Sequence, residues 1–210
     1  FPGQYKHLAP ALARAGHAVT ALTPKVKEPT TWQGVRLLPY TIQGRSSRDI
    51  HPLVGDFETK VLRGTACWQA ARGLKARGYT PDVICAHHGW GESLFLKDVW
   101  PGARLGLYCE LYHLSTPDFV GFDPEFPARD PASDPLRLRL KNLNNRLHEE
   151  VMDAGLSPTR FQAGTFPAHW RDRITVSHDG VDTLAVAPDA GARLAIEGGP
   201  TLTRDDEVIT

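Results

Sequence analysis

The chain has 210 residues, its 24 Lys and Arg balance 24 Asp and Glu, and 41% of it is hydrophobic. That composition excludes a disordered tail, and zero formal charge argues against nucleic-acid binding, which draws on a basic excess to neutralise phosphate. Three cysteines argue against a disulfide framework and no apolar run reaches the ~18–20 residues that span a bilayer, so the expectation is a globular, cytoplasmic domain without a leader.

Nineteen glycines and 17 prolines cut the chain into alternating helical and extended pieces. Tyr5, Leu8, Leu12 and Ala15 step by three or four, Gly16 sits where a helix stops, and residues 18–22 read as a strand. Pro10 confines the regular helix to a start near His7, with the proline in its first turn. A short strand follows at 34–40, then a long helix with Phe57, Val61, Trp68, Ala71 and Leu74 on one face, ending at Gly78. Residues 82–86 form a buried strand, 91–100 a helix and 104–109 a further strand. The stretch 117–135 holds five prolines, five acids and one Arg and reads as a ligand-gated or mobile loop. Asp134 and Pro135 then open a helix whose stripe is Leu136, Leu140, Leu143, Leu147, Val151 and Ala154, with Arg137, Arg139, Lys141 and Arg146 opposite. Ser157 reads as the cap of another helix from Thr159 to about Gly164, and 174–177 as a last strand. Strands separated by helices predict parallel βαβ units with ligands at the carboxyl ends of the strands.

The loop His87-His88-Gly89-Trp90-Gly91-Glu92 is the richest of these ends. Gly89 and Gly91 let backbone approach a ligand, and a following helix start favours an anion. Adjacent His87 and His88 in extended backbone point to opposite sides, and His88 with Glu92 makes only two ligands, so no metal is expected. In Tyr108-Cys109-Glu110-Leu111-Tyr112, Glu110 can meet a sugar hydroxyl or act as a base. Ser157 and Arg160 offer a hydroxyl and a cation near another helix start. The chain lacks a complete G-x-G-x-x-G, a phosphate-binding P-loop and a G-x-S-x-G elbow, which argues against dinucleotide, P-loop and hydrolase chemistry.

Phe1-Pro2-Gly3-Gln4, Ala15-Gly16-His17-Ala18-Val19-Thr20, Ser157-Pro158-Thr159-Arg160 and His178-Asp179-Gly180-Val181-Asp182 follow one another in an order that resembles a known family. The resemblance is to the acceptor-side, N-terminal domain of retaining, GT-B type glycosyltransferases of family four. Residues 82–92 and Leu138-Arg139-Leu140-Lys141-Asn142-Leu143-Asn144-Asn145 are similar to one bacterial subgroup.

The resemblance implies an α/β fold, a Rossmann-like parallel sheet flanked by helices that forms one half of a GT-B fold. Residues 1–183 would be the acceptor domain and 184–210 a linker with the opening of a donor domain, and a strand would precede Phe1. It also implies transfer of a sugar from a nucleotide-sugar donor to a glycan or lipid-linked acceptor with retention, in cell-envelope polysaccharide synthesis. The partners would be the chain's own donor domain and, through the basic helix face, a membrane surface. No cofactor is implied beyond the donor substrate, and a segment without the donor domain would be inactive alone. Gly3 matches the glycine-bearing loop near the donor diphosphate, with Gly89, Gly91 and Arg160 as further donor contacts. Glu110 and His87 would be catalytic, although many relatives carry His or Asp where Glu110 stands, and His88, Trp90, Glu92 and Tyr112 would line the substrate cleft. A non-catalytic sugar- or anion-binding module and a sugar-nucleotide epimerase are the competing readings.

Overall fold

The computed structural model describes residues 1–127 and 130–206, and Ala128, Arg129 and residues 207–210 lie outside that description. The proline-rich loop and the segment likened to a second domain therefore each fall partly outside it. The chain divides into two units, Phe1–His178 and Asp179–Thr210.

In the first unit a 3-10 turn at Gly3–Tyr5 leads into α1 (Leu8–Arg14), where Pro10 is buried in the first turn and removes no helical hydrogen bond. β1 (Thr20–Thr23) pairs in parallel with β3 (Val35–Pro39), and β2 (Thr30–Trp32) joins β3 as an antiparallel hairpin. The hairpin turns at Gln33 and Gly34, whose φ values of 48° and 81° are those of a tight primed turn. β2 carries no apolar alternation, so nothing in the sequence marked it. Ala9, Val35 and Leu37 bury α1 against this three-stranded sheet.

The second sheet has the order β4-β5-β6-β7, all parallel: Val83–His87, Arg104–Tyr108, Ala154–Ser157 and Ile174–Val176. Strands that neighbour one another in chain order, joined by right-handed crossovers, put their connecting helices on the same face. Ile84, Leu105 and Leu107 on that face accordingly share one core with Cys67, Ala71 and Leu74 of α2 (Gly55–Ala76), with Leu96 and Val99 of α3 (Leu96–Val99), and with Phe166 and Trp170. Val83, Cys85 and Leu156, on the opposite face, are exposed. This is the Rossmann-like α/β arrangement that the sequence predicts.

Four expectations change in detail. The helix expected over 91–100 is regular only in α3, because residues 89–95 form turns around the Gly-rich loop. The cap of α6 (Arg160–Thr165) is Thr159, whose hydroxyl accepts from the Gln162 amide, whereas the Ser157 hydroxyl donates to the Cys109 carbonyl. Residues 154–157, from the last position of the leucine stripe to the expected cap at Ser157, are β6. The single leucine-striped helix is two, α4 (Asp134–Lys141) and α5 (Leu143–Glu149), and their buried positions are Leu138, Asn142, Asn144, Asn145 and His148. Leu136 and Leu147 of the predicted stripe are exposed instead. α4 buries Leu138, whereas Asn142, Asn144 and Asn145 at α5 turn inward to bond the loop backbone of His113, His88 and Leu111.

The second unit contains an antiparallel hairpin of β8 (Leu194–Ala195) and β9 (Thr201–Leu202). Upstream, the Asp182 carboxylate accepts from the Leu184 and Ala185 amides.

α2 positions the functional loop by close approach. A side chain on Gly91 would place its first carbon 2.5 Å from the Lys60 carbonyl oxygen, and one on Gly64 would stand 2.8 Å from the Gly91 carbonyl oxygen. Gly91 also has a φ of 92°. Gly91→Ala is therefore expected to cost about 3 kcal/mol or more of unfolding free energy, from backbone strain plus displacement of α2. Gly102→Ala, at a position with open space around it, should stay within about 0.5 kcal/mol of the parent. Urea unfolding of both variants checks the pair, and equal stabilities would contradict the packing argument.

Candidate functional site

The carboxyl ends of β4 and β5 lie side by side, because His87 pairs in register with Tyr108. His87 Nδ1 accepts the Gly89 amide at 2.9 Å, so the proton of the neutral ring sits on Nε2, which donates to Glu110 Oε2 at 3.0 Å. The ring stacks on Tyr108, and Trp90 tilts against it with centroids 5.7 Å apart. The His87 side chain is 8% exposed and that of Glu110 49%. The pair therefore presents a carboxylate to solvent from a buried imidazole base plate. Burial lowers the His87 pKa below its ordinary value, and Glu110 partly offsets that.

His88 does not point away from His87, as extended backbone would require. β4 ends at His87, the chain turns, and the two rings stack with centroids 5.3 Å apart at 8°. His88 carries the opposite tautomer: Nδ1 donates to Asn145 Oδ1, and Nε2 accepts from the amides of Glu110 at 3.1 Å and Leu111 at 3.4 Å. Asn145 in turn donates to Asn142 Oδ1 at 3.0 Å, and Asn142 bonds both backbone groups of His113. Asn144 donates to the His88 carbonyl, while the Ser93 hydroxyl donates to His148 Nε2 at 2.7 Å. Burial pushes His88 down to about 3 and both His148 and His113 down to about 4.

The remaining residues singled out from sequence distribute around this pair. Glu92 is clamped by Arg63, whose Nε and terminal nitrogen both lie 2.8 Å from Oε1, and by the Tyr40 hydroxyl at 3.1 Å. Trp90 is half exposed, with the Arg63 guanidinium 5.6 Å from its ring centre. Gly89 lies against the His87 ring and supplies its amide, and Gly91 faces α2. Tyr112 is buried against Phe166 and Trp170, its hydroxyl accepting from Arg146 Nε at 3.2 Å. Gly3 is exposed in the first turn with a φ of 47°, and Arg160 is exposed at the start of α6. The structure thus gathers Glu110, His87, His88, Trp90 and Glu92, and the turn that carries Gly3 is near enough for the Phe1 amino group to feel Glu92. Among the described residues no three His, Cys, Asp or Glu side chains form a group that could hold a metal ion.

Sequence reasoning missed Arg63, Tyr40, Ser93, His148 and the three asparagines. Their one legible signal is the run Asn142, Asn144, Asn145 inside a helical pattern, since asparagine is a poor helix former unless its side chain has a specific partner.

Residues 15–186 match the model of a protein family described as the glycosyl transferase family 4 group. No curated protein matches the chain.

In the unfolded chain the buried histidines titrate near pH 6.5. As pH falls from there toward 4, the unfolded state binds protons that the folded state refuses, so stability is full above that range and declines within it. His88 and His148 should each contribute up to about 1.4 kcal/mol per pH unit across the window. Thermal melts are expected to show a lower Tm at pH 4.5 than at pH 7, and a flat profile would mean that the rings are not buried and neutral.

Proposed function

The chain belongs to the glycosyl transferase family 4 group, and on that premise we propose that it is the acceptor-side half of a retaining enzyme that moves a hexose from a nucleotide sugar to an acceptor hydroxyl. The observation that carries the reading is the Glu110–His87 pair at the carboxyl ends of adjacent parallel strands, where α/β sheets bind ligands. Glu110 Oε2 is held by the imidazole, and the half-exposed carboxylate can accept a hydrogen bond from a sugar hydroxyl and orient it. In the reaction the acceptor oxygen bonds to the anomeric carbon as the bond from that carbon to the diphosphate oxygen breaks. The hydroxyl proton passes to the departing diphosphate or to a base. Trp90, half exposed beside the pair, offers an apolar ring face to a sugar.

In this reading Gly3 and Arg160, with the loop of Gly89 and Gly91, face the donor diphosphate, and His88, Glu92 and Tyr112 shape the acceptor cleft. The nucleotide sugar is substrate, no metal takes part, and a donor domain of the same protein closes the cleft. The acceptor is a glycan or a lipid-linked sugar of cell-envelope polysaccharide synthesis, reached from the cytoplasm. Exposed Arg139 and Arg146 give the α4–α5 surface a cationic side for anionic headgroups. No described helix is long and apolar enough to cross a membrane.

Glu110→Gln keeps the shape of the side chain and removes its charge. In the full-length protein it is expected to lower kcat about 100-fold or more, the usual scale for an acid, base or orienting group, with Tm unchanged because the side chain is half solvated. Initial rates of nucleoside diphosphate release from UDP- and GDP-hexoses, with and without glycan acceptors, provide the measurement. Full turnover by a folded variant would remove Glu110 from the mechanism, and sugar conversion without an acceptor would favour the epimerase reading.

A further inference from the structure

After β5 the Cys109 amide still bonds the Leu156 carbonyl, and the four amides beyond it all find side-chain acceptors. Those of Glu110 and Leu111 meet His88 Nε2, that of Tyr112 meets Thr165 Oγ1 at 2.9 Å, and that of His113 meets Asn142 Oδ1 at 2.9 Å. Glu110 heads this run, and its own amide is taken by an imidazole 97% buried. Two anchors therefore define Glu110, His88 at its backbone and His87 at its carboxylate, and the two rings stack on each other.

We propose that His88 is a positioning residue that sets the Glu110 carboxylate through the Glu110 and Leu111 amides, with Asn145 locking the tautomer that leaves Nε2 as an acceptor. An N–H cannot accept, so a proton on Nε2 would turn both contacts from attraction to repulsion. Asn145 prevents this by taking the ring proton at Nδ1, and it is itself held by its donation to Asn142 Oδ1. This inference rests on the reading of Glu110 as a group that touches substrate, but two of its tests do not depend on turnover.

The first needs no variant. A long-range proton–nitrogen NMR spectrum of the wild-type protein is expected to show His88 protonated at Nδ1 and bare at Nε2, and a proton on Nε2 overturns the proposal. The second follows the His87 ring, on which the carboxylates of Glu110 and Glu92 both act and which burial opposes. In His88→Phe, which fills the same space without an acceptor, Glu110 should drift from His87 and the His87 titration should move to lower pH. His88→Gln, whose side-chain oxygen reaches toward the same amides, should return it toward the parent value. An unchanged His87 titration in folded His88→Phe overturns the proposal.

The third test is a double-mutant cycle on kcat in the full-length protein. His88→Phe is expected to cost about 100-fold when Glu110 is present, the scale of a misplacement near 1 Å, and less than about threefold in a Glu110→Gln background, because coupled residues are non-additive. Equal losses in both backgrounds would mean that His88 acts independently of Glu110. Should Glu110→Gln alone leave kcat intact, the transferase role of Glu110 fails, and the two NMR tests still decide whether His88 positions it.

Discussion

Four consecutive backbone amides with no strand to pair with are the constraint from which the rest of the site follows. β5 ends at Tyr108, and residues 110–113 run on into a part-buried region where an unmet N–H costs about 1–3 kcal/mol. Side chains from elsewhere in the fold accept all four. His88, Thr165 and Asn142 come from three different elements, and each has to arrive with an acceptor atom in place. Asn145 and Asn144 follow from the same need one step out, since they hold His88 by its ring and by its carbonyl. A polar network of this kind stabilises only when its members are satisfied together. Asn144 Oδ1, which has no partner among the described residues, is the one atom where the network is incomplete.

That constraint explains where sequence reading succeeded and where it failed. β4, β5 and β7 were legible because short apolar runs between glycines and charges mark buried parallel strands, and α2 because its length and stop at Gly78 are unambiguous. The α4–α5 pair misled through its leucines. Periodicity identifies a helix, but it identifies the inward face only when the surroundings are apolar, and at α5 they include loop amides and carbonyls. Of the face expected for α2 only Ala71 and Leu74 are buried, with Phe57, Val61 and Trp68 part-buried, and the other buried positions are Lys60, Gly64, Ala66 and Cys67, among them a lysine and a glycine that no hydrophobic count would select. β6 escaped notice because Ala154 continued the leucine period and Ser157 read as a helix cap.

Within the candidate site the same division holds. His87, His88, Trp90, Glu92 and Glu110 stood out as chemistry-bearing residues at strand ends, and topology alone brings two adjacent parallel strand ends together. Their relations were not legible. Nothing in the sequence says that Glu92 is neutralised by Arg63 from α2 and bonded by Tyr40 from beyond β3, contacts that cross 29 and 52 residues. Nor does it say that Gly91 serves the approach of α2, which brings Arg63 within reach of both Trp90 and Glu92.

The two histidines divide their protons in a way that limits what each can do. His87 has its lone pair on the Gly89 amide and its proton on Glu110; His88 has its proton on Asn145 and its lone pair on two amides. Neither ring holds a free lone pair toward solvent, and burial disfavours the imidazolium of both. A mechanism that asked either ring for general-base catalysis would first have to break a backbone contact that shapes the loop. The Glu92 charge is already answered by Arg63. Charge that can face a ligand from this cluster therefore resides on Glu110, so under the transferase reading the imidazoles contribute geometry and the carboxylate contributes the contact with the reacting sugar.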